Sequence, residues 1–303
     1  MSAPERGGER SDGPKVVAIG GGHGLAASLR AVRTYTDRVT AVVSVADDGG
    51  STGRLRAVGA ATAPGDLRKC LVALAGADSL LRRSMDHRFV GGDMDGHAMG
   101  NLLILAMSDS AGDLVRALDE IARLLGVVGR VLPATRDAVQ LTGSSKDGEL
   151  VCGQVAVSGR SDLCSVAVDP PGAEASPEAV EAIIEADQIV LGPGSLYTSV
   201  LAATAVPGIT DAVCRSSAQL VYVCNLRPQP GETTGYSVSA HLDALHRHGL
   251  EPDVVLYDAA TIGSAQDVDP AVAETAAATL ATPGGLAHDP DLLGAALAAL
   301  TER

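Results

Sequence analysis

Aromatic side chains are scarce, with no tryptophan, one phenylalanine and five tyrosines in 303 residues. Ring-stacking platforms for nucleic-acid bases are thereby excluded as a main device, and aliphatic packing must carry the core. Positive charge is short as well: lysine and arginine number 23 against 37 aspartates and glutamates, a net charge of −14. Sequence-independent binding to nucleic acid or to an anionic membrane lacks the basic face that both require. The five cysteines, Cys70, Cys152, Cys164, Cys214 and Cys224, are odd in number and include no C-x-x-C pair, which argues against zinc or dithiol chemistry and for a reducing cytoplasm. No apolar run approaches the roughly 18 residues of a membrane-spanning helix. LLILAM at 102–107 is core-sized, so membrane insertion is not expected. Residues 1–14, polar and rich in Gly, Pro and charge, are expected to be a disordered leader with no hydrophobic signal segment.

What is present is a large aliphatic supply, 46% hydrophobic residues, enough for a sizeable core over 15–303. Lys15 to Ile19 is a β-branched run that ends in glycines, and Leu25 to Val32 follows at helical spacing: strand, turn, helix. Val39 to Val45 is a nearly continuous apolar strand of the kind buried in a parallel sheet. Helical patterns occupy Asp66 to Ala75, Asn101 to Met107 and Asp113 to Leu125, the last amphipathic with Asp113 as its cap. From about 129 to 170 the texture changes to short strands between Gly, Ser and Asp turns, which predicts a small β-rich insertion. After a helix capped by Ser176 with Pro177 in first position, the strand-helix alternation resumes with strands at 189–191, 219–226 and 253–258 and a helix at 241–249. Alternation of this kind predicts an α/β fold, a doubly wound and mainly parallel sheet.

The chemistry-bearing residues sit in the loops. Gly22-His23-Gly24-Leu25-Ala26-Ala27 satisfies G-x-G-x-x-A between a strand and a helix, the setting in which helix N–H groups receive a phosphate. A dinucleotide site also wants an acid closing the second strand, and Asp47 is in that place. Asp47 is followed by Asp48, Gly49-Gly50, Ser51, Thr52, Gly53 and then Arg54, a set better suited to metal, sugar hydroxyls or phosphate than to a simple ribose clamp. Asp66 reads as a helix cap and Arg68 as its charged neighbour. Asp93, Asp95 and His97 alternate like metal ligands but lack an evident fourth, and His97 and Asn101 lie one helical turn apart. Gly192-Pro193-Gly194-Ser195-Leu196-Tyr197-Thr198 opens a later helix whose N–H groups and Ser195 and Thr198 hydroxyls suit a phosphate. Asn225 and Glu232 fall in a loop at the same sheet edge, where ligands of open α/β sheets bind.

In order, GGGHGL, SVADDGGSTGRLR, APGDLRKCL, GHAMGNLL, VLGPGSLYTSVL and VYVCNLRPQPGETTGYS closely resemble the YvcK branch of the CofD-like superfamily, and Ala287-His288-Asp289 resembles its last His-Asp element. The resemblance implies a Rossmann-like protein of the bacterial cytoplasm that binds a nucleotide sugar such as UDP-GlcNAc, with roles in cell shape, cell-wall precursor supply and growth on gluconeogenic carbon. Gly20, Gly21, Gly22, Gly24, Asp47, Asp48, Ser51, Asp66, Arg68, His97, Asn101, Gly194, Ser195, Thr198, Asn225 and Glu232 fall on the family's motif positions. His23 stands where many members carry a small hydroxyl residue, and 259–286 match weakly. The 2-phospho-lactate transferase branch implies a rival reading, a magnesium-dependent transferase in which Asp47 and Asp48 hold the ion and carry catalysis. An NAD-dependent oxidoreductase is the weakest alternative because of the DDGGS loop. A homodimer is expected, as is a Ser/Thr kinase partner acting near the C-terminus, with Thr282 and Thr301 as targets by location.

Overall fold

The computed structural model describes residues 13–57, 62–76, 78–285 and 287–302. The leader expected over 1–14 lies outside the described residues except for Gly13 and Pro14, whose carbonyls accept from Arg38 Nη1 at 3.1 Å and Thr36 Oγ1 at 2.8 Å. The chain first lays down β1 (Val16–Gly20), β2 (Val39–Val43) and β3 (Arg130–Pro133) side by side. It then forms a separate three-stranded antiparallel sheet from β4 (Gln140–Ser145), β5 (Leu150–Cys152) and β6 (Leu163–Asp169). It returns to the other side of β1 with β7 (Gln188–Leu191), β8 (Gln219–Val223), β9 (Val254–Tyr257) and β10 (Glu274–Ala277). The main sheet has seven strands in the order β10-β9-β8-β7-β1-β2-β3, every pair parallel. Growth therefore runs outward from β1 in both directions, and the turns after β1 and β7 meet at the switch point, the crevice where open α/β sheets take ligands.

Local sequence explains the elements. All five residues of β1 are buried, as expected of a strand covered on both faces by helices. Leu114–Leu125 begins where the Asp113 carboxylate accepts the Arg116 N–H at 2.7 Å, and it buries the stripe Leu114, Leu118, Ile121 and Leu125. It stops at Gly126 in the left-handed region at φ 61°, a conformation that costs glycine little. Among the described residues no single helix is long and apolar enough to cross a membrane; Leu196–Thr204 and Pro207–Arg215 reach that length only as a pair bent by 77°.

Several sequence expectations shift. VLPAT supplies β3, which is the edge strand of the main sheet and not part of the insertion. ELVCGQVAVSG folds as β5 followed by a short helix, Gln154–Ser158. Ser176 occupies the cap position of Pro177–Ile184 without a side-chain capping bond. Asp66 is not a cap either: the helix Pro64–Leu74 starts two residues before it, with Ala63 at the cap position. β10, ETAA, carries no sequence signal, because alanine has little strand preference and three of its four residues are exposed at the sheet edge.

Two histidines tie this architecture to pH. His241 is fully buried, with Nδ1 at 2.8 Å from the Ser237 carbonyl oxygen. His248 Nε2 accepts the Val166 N–H at 3.0 Å and so joins the helix Val238–Arg247 to β6 of the small sheet. Burial holds both rings below the ordinary histidine value of 6.5. The folded protein thus binds fewer protons at these rings than the unfolded chain, so their contribution is complete above 6.5 and declines as pH falls through it. Urea midpoints should fall as pH is lowered from about 7.5 to about 5.5. His248→Gln, which keeps an acceptor but does not titrate, should flatten that fall; an equally steep decline in the variant would refute the assignment.

Candidate functional site

At the switch point lies a cleft of about 440 Å³, within the usual range for small-molecule sites of roughly 300–1,000 Å³. One wall is the turn after β1. The helix Gly22–Val32 starts there, and its first-turn N–H groups have no intrahelical acceptor. A Cβ on Gly24 would stand 2.1 Å from the Pro193 carbonyl oxygen, and one on Gly21 would stand 2.6 Å from Asp66 Oδ2. Gly24 lets the turns after β1 and β7 touch, and Gly21 leaves room for the Asp66 carboxylate, which reaches in from the helix Pro64–Leu74. Asn225, just beyond β8, clamps the second turn: its Oδ1 accepts the Gly194 N–H at 3.0 Å, and its Nδ2 donates to the Gly194 carbonyl at 2.8 Å. Gln229 Nε2 donates to Ser195 Oγ at 3.0 Å.

Of the residues expected from sequence, Gly21, Gly22, His23, Gly24, Asp47, Asp66, Gly194, Ser195 and Asn225 line the cleft. Gly20 ends β1 directly behind it. Burial raises the Asp47 carboxyl above the usual range; the Gly49 N–H, which Asp47 accepts at 3.0 Å, pulls it back, and the negative charge of Asp66 adds to the rise. Lys69 Nζ lies 2.9 Å from Asp66 Oδ1. Partial burial, and next the charge of Lys69, push the His23 ring below its ordinary value, which leaves it neutral near pH 7.

The remaining expected residues lie outside the lining. Asp48 turns away: its two oxygens accept the N–H groups of Gln154 and Val155, each at 3.0 Å, so it fixes the start of the short helix Gln154–Ser158. Ser51, Arg68, His97 and Asn101 form a buried hydrogen-bonded chain. Ser51 Oγ is 3.0 Å from His97 Nδ1, Asn101 Nδ2 donates to Ser51 at 3.3 Å, and Arg68 Nε donates to Asn101 Oδ1 at 3.0 Å. Arg68 also pairs with Asp86. Arg54 Nη2 donates to the Asp95 carbonyl at 2.8 Å, which pins the loop containing Asp93 and Asp95.

The helix N-terminus at Leu196, expected to take a phosphate, is already filled. Glu232 Oε2 accepts the N–H groups of Tyr197 at 3.0 Å and Thr198 at 3.3 Å, while Oε1 accepts the Thr198 hydroxyl. Glu232 is 3% exposed, and burial raises its carboxyl above the usual value against the pull of these bonds.

In the rival transferase reading Asp47 and Asp48 are the candidates to hold magnesium. The pair does not fit the ion, because the Asp48 carboxylate is committed to two backbone N–H groups. Among the described residues no group of three or more His, Cys, Asp or Glu side chains is arranged to hold a metal. Sequence reasoning missed Lys69, Gln154, Ser199, Gln229 and His288 as lining residues. Lys69 was findable, since it stands one helical turn after Asp66; the others come into the cleft only through tertiary packing.

The fold and the cleft define a doubly wound α/β protein with a glycine-walled site at its switch point. A family model described as 2-phospho-L-lactate transferase CofD matches residues 16–289. The gluconeogenesis factor of Halalkalibacterium halodurans is 43% identical over 247 residues, 80% of this chain and 77% of that protein. A relative from Nostoc sp. is 46% identical over 235 residues, 77% of this chain but 52% of its own length. The crystal structure of a UPF0052-family protein from Bacillus halodurans matches with a TM-score of 0.87 at 37% identity, covering 93% of this chain and 98% of that one. The chain belongs to the CofD family and, within it, to the gluconeogenesis-factor (YvcK/UPF0052) branch.

The Glu232 cap can be tested directly. Glu232→Ala should lower stability by about 1–3 kcal/mol, because it strands buried N–H groups and a hydroxyl. A urea melt reads this, and an unchanged midpoint would show that the cap contributes nothing.

Proposed function

We propose that this chain is a cytoplasmic regulatory protein that binds a nucleotide sugar of the UDP-GlcNAc type, in the service of cell shape, cell-wall precursor supply and growth on gluconeogenic carbon. The observation that carries the reading is the contrast between two helix N-termini at one switch point. Glu232 fills the one at Leu196, whereas the one at Gly22 opens on a cleft that also holds Lys69. The diphosphate rests on the N–H groups of the Gly22–Val32 helix with Lys69 beside it, since helix dipole and ammonium both favour negative charge there. Asp47, Ser195 and Gln229 face the hydroxyls. The name of the Halalkalibacterium halodurans relative supports the gluconeogenic role. The expected homodimer and kinase partner belong to the same reading. Of the two threonines considered as kinase targets, Thr301 is exposed at the end of the last helix.

The description of the matching family model favours a second reading, transfer of a phospho group to an acceptor hydroxyl. In that reading Asp47, which lines the cleft and whose carboxyl burial raises above the usual range, is the general base.

Calorimetry with UDP-GlcNAc, UDP-glucose, GDP and NAD, with and without magnesium, tests both. UDP-sugars should bind best, and Lys69→Ala should weaken them about 10-fold, as loss of one charge-assisted phosphate contact does. A preference for NAD, or no affinity for any UDP-sugar, would overturn the reading. Release of UMP or UDP from the sugar nucleotide, lost in Asp47→Asn, would replace it with the transferase.

A further inference from the structure

The segment after β7 carries three aliphatic hydroxyls, Ser195, Thr198 and Ser199, and two of them are engaged within the protein. Ser195 Oγ accepts from Gln229 Nε2 at 3.0 Å, and the Thr198 hydroxyl donates to Glu232 Oε1. Ser199 Oγ has no hydrogen-bond partner among the described residues. The residue is 8% exposed and lines the cleft. Unlike the unpartnered His241 Nε2, its oxygen is not sealed inside the protein.

The surrounding backbone fixes where this hydroxyl stands. Leu196–Val200 is a single π-helical turn, in which the N–H groups of Ser199 and Val200 both donate to the Ser195 carbonyl, at 3.1 and 3.0 Å. Wide turns of this kind are rare and recur at functional sites. Leu196, Tyr197 and Val200 are fully buried and anchor the turn. Ser199 is wedged between the two glycine turns: its Cβ lies 3.6 Å from where a Cβ on Gly21 would stand, and 3.6 Å from where one on Gly194 would stand. Its Oγ lies 4.0 Å from the corresponding point at Gly22, and among the described residues no other atom outside the local backbone comes within 4 Å of that point. At Gly21 the same space is taken by Asp66 Oδ2, at 2.6 Å. An anion drawn to this helix N-terminus therefore meets a carboxylate at Gly21 and an unused hydroxyl at Gly22.

We propose that Ser199 is the side-chain half of a phosphate seat, its Oγ donating a hydrogen bond to a phosphate oxygen of the bound nucleotide. The other half is the backbone N–H groups of Gly22, His23 and Gly24; the next N–H along, that of Leu25, is already taken by the Gly21 carbonyl at 3.2 Å. The assignment rests on the nucleotide-sugar reading of the cleft and fixes where the diphosphate lies, against Gly22 and between the turns after β1 and β7. A serine hydroxyl is neutral, so it attracts the phosphate without breaking an ion pair, whereas Lys69 must first leave Asp66. Folding has already removed most of the water around Ser199, and a hydrogen bond to a charged acceptor recovers what that desolvation cost. Ser195 and Thr198, the hydroxyls that the sequence suggests for a phosphate, are thereby replaced in that role by their neighbour.

Ser199→Ala removes a donor that holds nothing in the empty protein, so its urea midpoint should stay at the wild-type value. Thr198→Ala, which breaks the bond to Glu232, should lower the midpoint and serves as the structural comparison. In calorimetry Ser199→Ala should bind UDP-GlcNAc and UDP about 10-fold more weakly, the effect of one hydrogen bond to a charged group. Ser199→Cys, similar in bulk but a poor donor, should also bind both more weakly, and it decides alone if Ser199→Ala does not fold. Equal affinity of wild type and Ser199→Ala for UDP-GlcNAc would overturn the proposal and leave the nucleotide-sugar reading standing. A loss seen with UDP-GlcNAc but not with UDP would place the hydroxyl at the sugar and overturn it too. Inorganic pyrophosphate separates the seat from the reading of the whole cleft. Wild-type protein that binds pyrophosphate through Ser199 but no nucleotide sugar would overturn that reading and keep the seat; wild-type protein that binds neither would overturn both.

Discussion

The contact on which the site depends is the approach of two backbone turns where no side chain can fit. Gly24, in the first turn of the helix after β1, lies so close to the Pro193 carbonyl that a methyl group would stand 2.1 Å from its oxygen. Ser28, one turn further along the same helix, donates its hydroxyl to the Gly192 carbonyl, and Asn225 brackets Gly194 with two hydrogen bonds. Two segments from distant parts of the chain, the helix Gly22–Val32 and the loop after β8, therefore converge on residues 192–194. This arrangement fixes how closely the turns after β1 and β7 approach each other. Preorganised backbone donors lose little on binding, because the ordering has been accomplished by folding.

A second constraint is the use of carboxylates as internal anions. Asp48 and Glu232 both looked like ligand residues in the sequence, since acids beside glycine turns and hydroxyls recur in metal and sugar sites. Each instead reaches across a long stretch of chain to satisfy N–H groups at the start of a helix, Asp48 at Gln154 and Val155, Glu232 at Tyr197 and Thr198. Helix N-termini attract negative charge whether it comes from a ligand or from the protein. Sequence alone does not tell the two apart, because the partner of each acid is more than thirty residues away. Asp48 still touches the site indirectly, as it orients the helix that brings Gln154 to the cleft.

Legibility followed the range of the interactions. β1 and β2 were readable because strands buried on both faces are written as continuous apolar runs, and Leu114–Leu125 was readable because its cap and its stripe are both local. β3 was assigned to the wrong sheet, since VLPAT carries a strand signal but nothing that says which neighbour it pairs with. β10 was invisible: ETAA is stabilised by pairing with β9 and not by its own residues. The candidate site divided in the same way. The glycine turns and Asp47 were legible because the strand-turn-helix grammar places them at the carboxyl edge of the sheet, whereas Asp66, read locally as a cap, was placed at the site only by the family resemblance. Gln229 and His288 were not assigned to the site, because each reaches the cleft through a fold in a loop that only the packed structure fixes. Ser51, Arg68, His97 and Asn101 were each expected at the ligand, but together they form a buried strut beside the cleft and do not line it.

A chain with a net charge of −14 that is to hold an anion must do so against its own field. Among the described residues the cleft is lined by two carboxylates, Asp47 and Asp66, and one lysine. Asp66 is paired with Lys69 at 2.9 Å, yet its charge still adds to the rise that burial imposes on the Asp47 carboxyl, so the two carboxylates already repel one another. A phosphate entering at Gly22 would compete with Asp66 for Lys69, and only uncharged donors, the backbone N–H groups foremost, would then offer attraction that carries no counter-charge. Such dipoles are fixed in direction and act over a short range, whereas net charge acts over about 8 Å at physiological ionic strength. Anion recognition here would therefore rest on geometry at the glycine turn and not on global electrostatics. The close packing of Gly24 against Pro193 is what holds that geometry.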